Sequence, residues 1–449
     1  MNKISKIKPI FLLTFCFVFS PVSTPLFSFP TETPTILPLQ KQAEMVDQWL
    51  KIRLDTVLPE IMKRENIDMW IVICREYNED PVFLTLVPSN WFAARRNSIL
   101  VFSSTPTGEK TPGVERLILS RRGIGDLYKA AWTSDKIDQW QCLAEIVTQH
   151  EPKRIGINES DVFAFGDGLS ASLKKKLTET LGPKYSTRLT SAQNLALGWL
   201  EKRIPQELEI YPQIVSIAHG IIKEAFSNDV IKPGITSTSD VEWRMREKIS
   251  GLGLKPWFHP SVDFQRKEKG EMNYDREGII NRGDLLHCDI GITYLRLNTD
   301  SQEMAYVLRE GETDAPDELK KALTLGNRLQ DIFTGEFKAG RTGNEVLLST
   351  LAKARSEGLN AQVYTHPVGF HGHGAGPTIG LWDQQRAIPG QGDYPLYYDT
   401  CYAVELNIRT AIPHWNNREI RIALEEDAAF SEKGVYYLDG RQTTLYIIK

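Results

Sequence analysis

The chain has 449 residues, enough for two or three domains, and its 41% hydrophobic and 24% charged residues are ordinary for a soluble globular protein. A formal net charge of -4 removes the electrostatic reason to expect a nucleic-acid partner. No long single-sign run occurs, so neither a polybasic membrane patch nor an acidic tail is indicated.

Lys3, Lys6 and Lys8 precede the apolar run PIFLLTFCFVFSPVS, and small residues follow near Ser23 and Ser28. This order reads as a secretory signal peptide over residues 1–28, so an exported protein, periplasmic or extracellular, is expected. A buried N-terminal strand or anchor helix is the lesser reading of the same pattern. The run is short for a stable membrane span. Phe15 is bulkier than lipidation signals usually allow, which argues against a lipid anchor at Cys16. Residues 29–40, rich in Pro and Thr, read as a linker. Cys74, Cys142, Cys288 and Cys401 lie far apart, without the spacing of a disulfide framework or zinc ribbon. They are expected to be buried free thiols.

A helix is predicted from about Gln42 to Arg64, with Met45, Trp49, Ile52, Leu58 and Met62 near helical spacing. Strands follow at residues 69–74, 98–102, 115–120 and 154–158 with helices between them, an α/β domain over residues 41–195. The second domain, residues 196–449, opens on a helix with Ile214, Ile217, Ala218, Ile221, Ile222 and Phe226 on one face. Ser239 with Glu242 reads as the capping box of the next helix, which runs to Gly251. Further helices are expected over 315–333 and 343–356, among strands that continue to the C-terminus. Strands and helices without regular βαβ alternation indicate an α+β domain.

The acidic residues in strands stand out. Leu285 to Thr293 reads as a strand with Asp289 in its middle, although Asp is depleted in strands and costly to bury unpaired. Asp300 follows eleven positions later, and a turn within TYLRLN would bring both carboxylates onto one surface. Taken alone, Asp300 fits a solvated loop better. In CYAVELNIRT, Val404, Leu406 and Ile408 alternate with a polar face that carries Glu405. In REIRIALEEDAAF the same parity puts Glu425, and not Glu426, on the polar face. Singly, each glutamate also fits an exposed sheet face. Together with a histidine from the glycine-rich stretch THPVGFHGHGAGPTIGLWDQQ (residues 365–385), the four carboxylates fit a site for two divalent cations. The cations would offset the carboxylate repulsion, and water held between them becomes a hydroxide-like nucleophile. The glycines are expected to let the backbone pass close to that site.

At these residues the chain resembles the pita-bread metallopeptidases, which include Xaa-Pro aminopeptidase, prolidase, methionine aminopeptidase and creatinase. GDLLHCDIG looks like the strand with the family's first ligand, implying Asp289, and Asp300 matches the second. GHGAG at 372–376 looks like the family's Gly-His-Gly-Ile-Gly, implying His373. YAVELNI and IRIALEED imply Glu405 and Glu425. The resemblance implies a pita-bread catalytic domain preceded by a smaller α/β creatinase-type domain, the arrangement of the proline-directed branch. It also implies two divalent metal ions, Mn, Co or Zn. Departures are visible. KGEMNYDREG has no histidine where relatives carry a His-Tyr pair. GLWDQQ offers Asp383, Gln384 and Gln385 where a further histidine is expected. DSQE replaces Asp-x-Thr-Arg, and Arg421 stands two residues further from its glutamate than usual.

The resulting expectation is a metal-dependent exopeptidase that hydrolyses the bond before proline through a metal-bridging hydroxide. Its partner is a peptide or dipeptide substrate, with no nucleic acid, no stable membrane span, and a homodimer left open. Metal ligands are Asp289, Asp300, His373, Glu405 and Glu425. Glu405 is expected to manage the proton of the attacking water, and His371, or else His366, to stand in for the absent accessory histidine. The reversed assignment of His371 and His373 stays open, because both point the same way on an extended chain. His366 and His259 are expected to touch substrate, with a structural role beside Pro260 the equal reading of His259, and His287 shares a strand face with Asp289. The alternative is a catalytically altered or inactive pita-bread protein that binds peptides or partners. A metal-free, creatinase-like hydrolase of a small guanidino or amide compound is the third reading.

Overall fold

A helix, α1 (Leu39–Arg64), is the first helix among the described residues and leads into the first sheet. The computed structural model describes residues 35–104, 113–267 and 277–449. The signal-peptide segment, Cys16 and nearly all of the histidine-free KGEMNYDREG stretch lie outside these residues. Of the linker read over 29–40, Leu39 and Gln40 already belong to α1.

The first sheet contains β1 (Met69–Cys74), β2 (Ser98–Ser104), β3 (Val114–Ile118), β4 (Lys129–Ala130), β5 (Ile155–Ile157) and β6 (Leu189–Ser191), in the order β4-β3-β2-β1-β5-β6. It is mixed: β1 runs antiparallel to β2 and parallel to β5. All six residues of β1 are buried, because alternate side chains enter two different cores. Trp70, Val72 and Cys74 pack with Leu54, Leu58 and Ile61 of α1. Met69, Ile71 and Ile73 pack with Leu143 and Val147 of α2 (Gln139–His150) and Leu173 and Leu177 of α3 (Ala171–Ser186). Cys74, Cys142, Cys288 and Cys401 are free and buried, as expected.

Next come α4 (Gln193–Glu201), α5 (Pro205–Ala225) and α6 (Thr238–Gly251). At their start Arg53 of α1 forms a buried ion pair with Glu207, 3.1 Å apart, and its guanidinium lies over the rings of Trp199 and Phe370. The glycine-rich stretch, through Phe370, is thereby tied to α1 and α4.

The cap of α6 differs from the one predicted. Ser237 is the N-cap, with its hydroxyl accepting from the Asp240 amide at 3.1 Å. Glu242 instead accepts from the Val262 amide at 2.9 Å. Both spacings satisfy the local rule, and a backbone bridge from Ser237 to Ile279 selects the earlier start.

The second sheet includes β7 (Ser261–Gln265), β8 (Leu285–Ile290), β9 (Ser301–Val307), β10 (Asn360–Val363), β11 (His366–Pro367), β12 (Thr400–Ile412) and β13 (Arg418–Ser431), with two short strands, Gly434–Tyr437 and Tyr446–Ile448, beside β13 and β9. Its path is β10-β12-β13-β9-β8-β7, antiparallel along that path, with β11 alongside β12. The predicted strand from Leu285 breaks at Gly291, where a Cβ would sit 2.0 Å from the indole nitrogen of Trp257. Beyond it, Leu295 and Arg296 at φ 53° and 63° reverse the chain toward Asp300.

One face of this sheet is covered by helices. Leu406, Ile408, Ile422 and Leu424 are buried with Leu319, Leu323 and Phe333 of α7 (Asp317–Thr334) and Val346 and Leu347 of α8 (Gly343–Ser356). Cys288, Ile290, Ala305 and Val307 are buried with Ile214 and Ile221 of α5 and with Val241 and Met245 of α6. Period-two alternation then turns the intervening polar residues to the other face. The architecture is a mixed α/β sheet domain followed by an antiparallel pita-bread domain, an α+β fold.

Candidate metal centre

Strand register assembles the site. Asp289 pairs with Gln302, Gln302 with Glu425, and Glu425 with Glu405, so one row across β8, β9, β13 and β12 carries all four side chains. Adjacent strands lie about 4.8 Å apart, close enough for carboxylates in such a row to share a cation. Asp300 stands two residues before Gln302 and points the same way. In the neighbouring row, His366 of β11 pairs with Ala403, which pairs with Asp427. Ala403 carries only a methyl group, and His366 Nε2 reaches 3.4 Å from both Asp300 Oδ2 and Glu425 Oε1.

Three overlapping groups of metal-ligand type result: Asp289, Asp300 and Glu425; His366, Glu405 and Glu425; and Asp300, His366 and His373. Asp289 Oδ1, Asp300 Oδ1, Glu425 Oε1 and His366 Nε2 are buried and lack a hydrogen-bond partner. Burying four such atoms unsatisfied is costly, and a divalent cation with oxygen and imidazole ligands is what this donor set fits. Burial, with the charge of Glu425 next, pushes the Asp289, Asp300 and Glu405 carboxyls well above the usual range. For His366, burial opposes the charged form but the Glu425 and Glu405 carboxylates outweigh it, raising its pKa to about 9.

The three histidines of the glycine-rich stretch take different positions. His366, expected at the substrate, stands among the carboxylates. His373, expected as the ligand, is the exposed member of its group; its ring meets His366 edge-on at 4.7 Å and Trp257 at 5.1 Å. Burial and the neighbouring His366 lower its pKa. His371 stacks on Phe165 at 4.8 Å and belongs to none of the metal-ligand groups. The two-residue parity argument fails because residues 369–373 form bends, not an extended strand. Within them Gly372 lies so close to Trp257 that a Cβ would approach its ring atoms at 2.2 Å, so this glycine accommodates an indole. His259 lies on the α6 side, hydrogen-bonded to Arg246 at 2.9 Å with its ring tilted 59° to that of Trp243 at 5.2 Å, and is in none of these groups among the described residues.

A cavity of about 330 Å³ opens over the centre, lined among others by Phe165, Tyr364, His366, His373, Trp382 and Glu405. Phe165 and Trp382 escaped the sequence reading, because a lone aromatic carries no positional signal. A separate group, His219, Glu303 and Glu426, occupies the reverse face of the sheet. There both ring nitrogens of His219 already face carboxylates, Asp439 at 3.0 Å and Glu426 at 3.2 Å. The parity that kept Glu426 apart from Glu425 is thus a real separation of two faces.

The site is a buried polar centre on one face of a pita-bread sheet. The sequence profile of metallopeptidase family M24 matches residues 210–433, and through this half the chain belongs to that family. The full two-domain fold is shared with solved structures. X-Pro aminopeptidase from Thermotoga maritima MSB8 is 18% identical with a TM-score of 0.59, covering 86% of this chain and 99% of its own. Xaa-Pro dipeptidase from Bacillus anthracis is 17% identical at 0.58, covering 90% and 99%. Prolidase from Pyrococcus furiosus is 16% identical at 0.53, covering 85% and 99%. No curated protein matches the chain in sequence.

Proposed function

We propose that the protein is a metal-dependent exopeptidase cleaving the bond before proline in short peptides. The observation that carries the reading is the convergence of four buried, unpartnered ligand atoms from Asp289, Asp300, His366 and Glu425 on one sheet face, under an open cavity. Asp289, Asp300, His366, Glu405 and Glu425 would hold two divalent cations, Mn, Co or Zn. When bound, such ions supply Lewis-acid activation of water and of the scissile carbonyl. This ligand set replaces His373 by His366 relative to the sequence expectation.

The chain's own residues do the rest. Glu405 lines the cavity, and its carboxylate is the group proposed to take the proton of the attacking water and hold it for the departing amine. His373, at the cavity and with its pKa lowered, offers a neutral imidazole to hydrogen-bond the substrate carbonyl or nitrogen. It fills the accessory role for which GLWDQQ has no histidine. Phe165, Pro367 and Trp382 give the cavity an apolar wall suited to a pyrrolidine ring. The Xaa-Pro names of several structural relatives favour that substrate class. Export belongs to the same proposal and rests on the basic-then-apolar start of the chain.

The test is purification of the mature protein, metal analysis, and assay on Xaa-Pro peptides with Mn²⁺, Co²⁺ or Zn²⁺. Cleavage that disappears in Glu405→Gln, at unchanged fold, is the expected result. Absence of both bound metal and cleavage would overturn the reading.

A further inference from the structure

We infer that a buried relay, Asp263–His287–Gln302, orients the two glutamates of the centre, with Gln302 as their shared hydrogen-bond donor. This rests on the metal-centre reading above and adds residues to it.

The relay is continuous. Gln302 Nε2 donates to Glu425 Oε2 at 2.8 Å and to Glu405 Oε1. Its two amide protons are thereby spent on one glutamate each. The amide oxygen then faces His287 Nε2 at 2.9 Å, and since an amide oxygen only accepts, that ring nitrogen is the donor. His287 Nδ1 lies 3.0 Å from Asp263 Oδ2, and Arg421 donates to the same oxygen at 2.9 Å. Asp263, His287 and Gln302 are all at most 7% exposed, so water does not compete for these bonds.

The geometry makes Gln302 specific to this task. It is the register partner of both Asp289 and Glu425, at the middle of the carboxylate row. A carboxylate there would add a further negative charge, and an apolar residue would leave two glutamate oxygens without a donor. A neutral side chain with two N–H bonds fixes both glutamates while each keeps its other oxygen for a cation. Buried Glu425 shows this directly: Oε2 is held by Gln302, and Oε1 has no hydrogen-bond partner. The relay also gives a use to two sequence departures, the glutamine in DSQE and Arg421 set two residues further from its glutamate. The roles are positional: none of the three relay residues ligates a cation.

The experiment is Mn²⁺ titration calorimetry on the cation-free protein, with thermal melting of the same samples. Gln302→Met keeps the length and removes the donor. His287→Leu removes the donor to Gln302, and His287→Gln keeps an N–H there. Gln302→Met and His287→Leu are expected to weaken Mn²⁺ binding about 10- to 100-fold. The cation-free melting temperature should stay near that of the parent, and His287→Gln should recover most of the affinity. A merely structural role would lower melting in all variants and leave the affinity of the folded fraction unchanged. If Gln302→Met does not fold, the two His287 variants decide by their difference. Parent-like affinity in Gln302→Met, or equal affinity in His287→Leu and His287→Gln, overturns the relay alone. A parent that binds no Mn²⁺ overturns the metal-centre reading with it.

Discussion

At the scale of single residues, the choice of imidazole has the largest consequence. His366 Nε2 sits 3.4 Å from two carboxylates, whereas His373 reaches the centre only as the exposed member of a group. His366→Ala is therefore expected to lower Mn²⁺ affinity at least about tenfold. His373→Ala should leave affinity nearly unchanged and reduce kcat by about 10²–10⁴, the usual worth of a proton-transfer or carbonyl-orienting group. Calorimetry and steady-state kinetics on the two variants check the assignment, and the opposite pattern would restore His373 as the ligand. The glycine-histidine string reads as a ligand motif in sequence. Yet the neighbour that its Gly372 accommodates is Trp257, more than a hundred residues away in the chain. Nothing in residues 365–385 announces that partner.

At the scale of elements, strand parity was legible and caps were ambiguous. Glu405 and Glu425 stand directly opposite in a thirteen-pair β12–β13 register, and the apolar alternation of each strand already specified which face they occupy. The apolar half of that alternation carries the hairpin's stability. Leu424→Ala, at a fully buried position among α7 residues, should cost about 2–5 kcal/mol in denaturant unfolding. The start of α6 depended on a bridge from Ser237 to Ile279 that no local rule contains. Ser237→Ala is expected to cost about 1 kcal/mol, and Ser239→Ala, at an exposed position two residues past the N-cap, less than about 0.5 kcal/mol. Equal effects of the two would return the cap to Ser239.

At the scale of the whole molecule, the centre couples stability to pH. Asp289, Asp300 and Glu405 have folded pKa values above their unfolded value of about 4, so their protonated forms favour the folded state. That contribution is complete below about pH 4 and is lost as pH rises through the raised values. His366, raised to about 9, adds the same trend above its unfolded pKa of about 6.5. Cation-free protein should therefore melt at a lower temperature at pH 8 than at pH 5. Mn²⁺ should recover the loss, by about 2.7 kcal/mol at a hundredfold excess over its Kd. Melting curves with and without chelator at the two pH values check this; a cation-free protein more stable at pH 8 would contradict it. Ion-pair groups such as Glu336, held down at about 2, lose their contribution only in acid, below the tested window.

By itself the sequence determined the class of fold and the sheet face on which the four acidic side chains stand, because period-two alternation is a local property of the chain. The four free thiols, expected from their scattered spacing, are borne out by the fold, which buries each of them apart from the others. Only the tertiary structure decided that His366 Nε2 lies 3.4 Å from two carboxylates, where α6 begins, and that Gln302 stands in the row between Asp289 and Glu425. Those outcomes depend on strand register and on packing against Trp257 and Phe165, contacts between residues far apart in sequence whose geometry no local periodicity encodes.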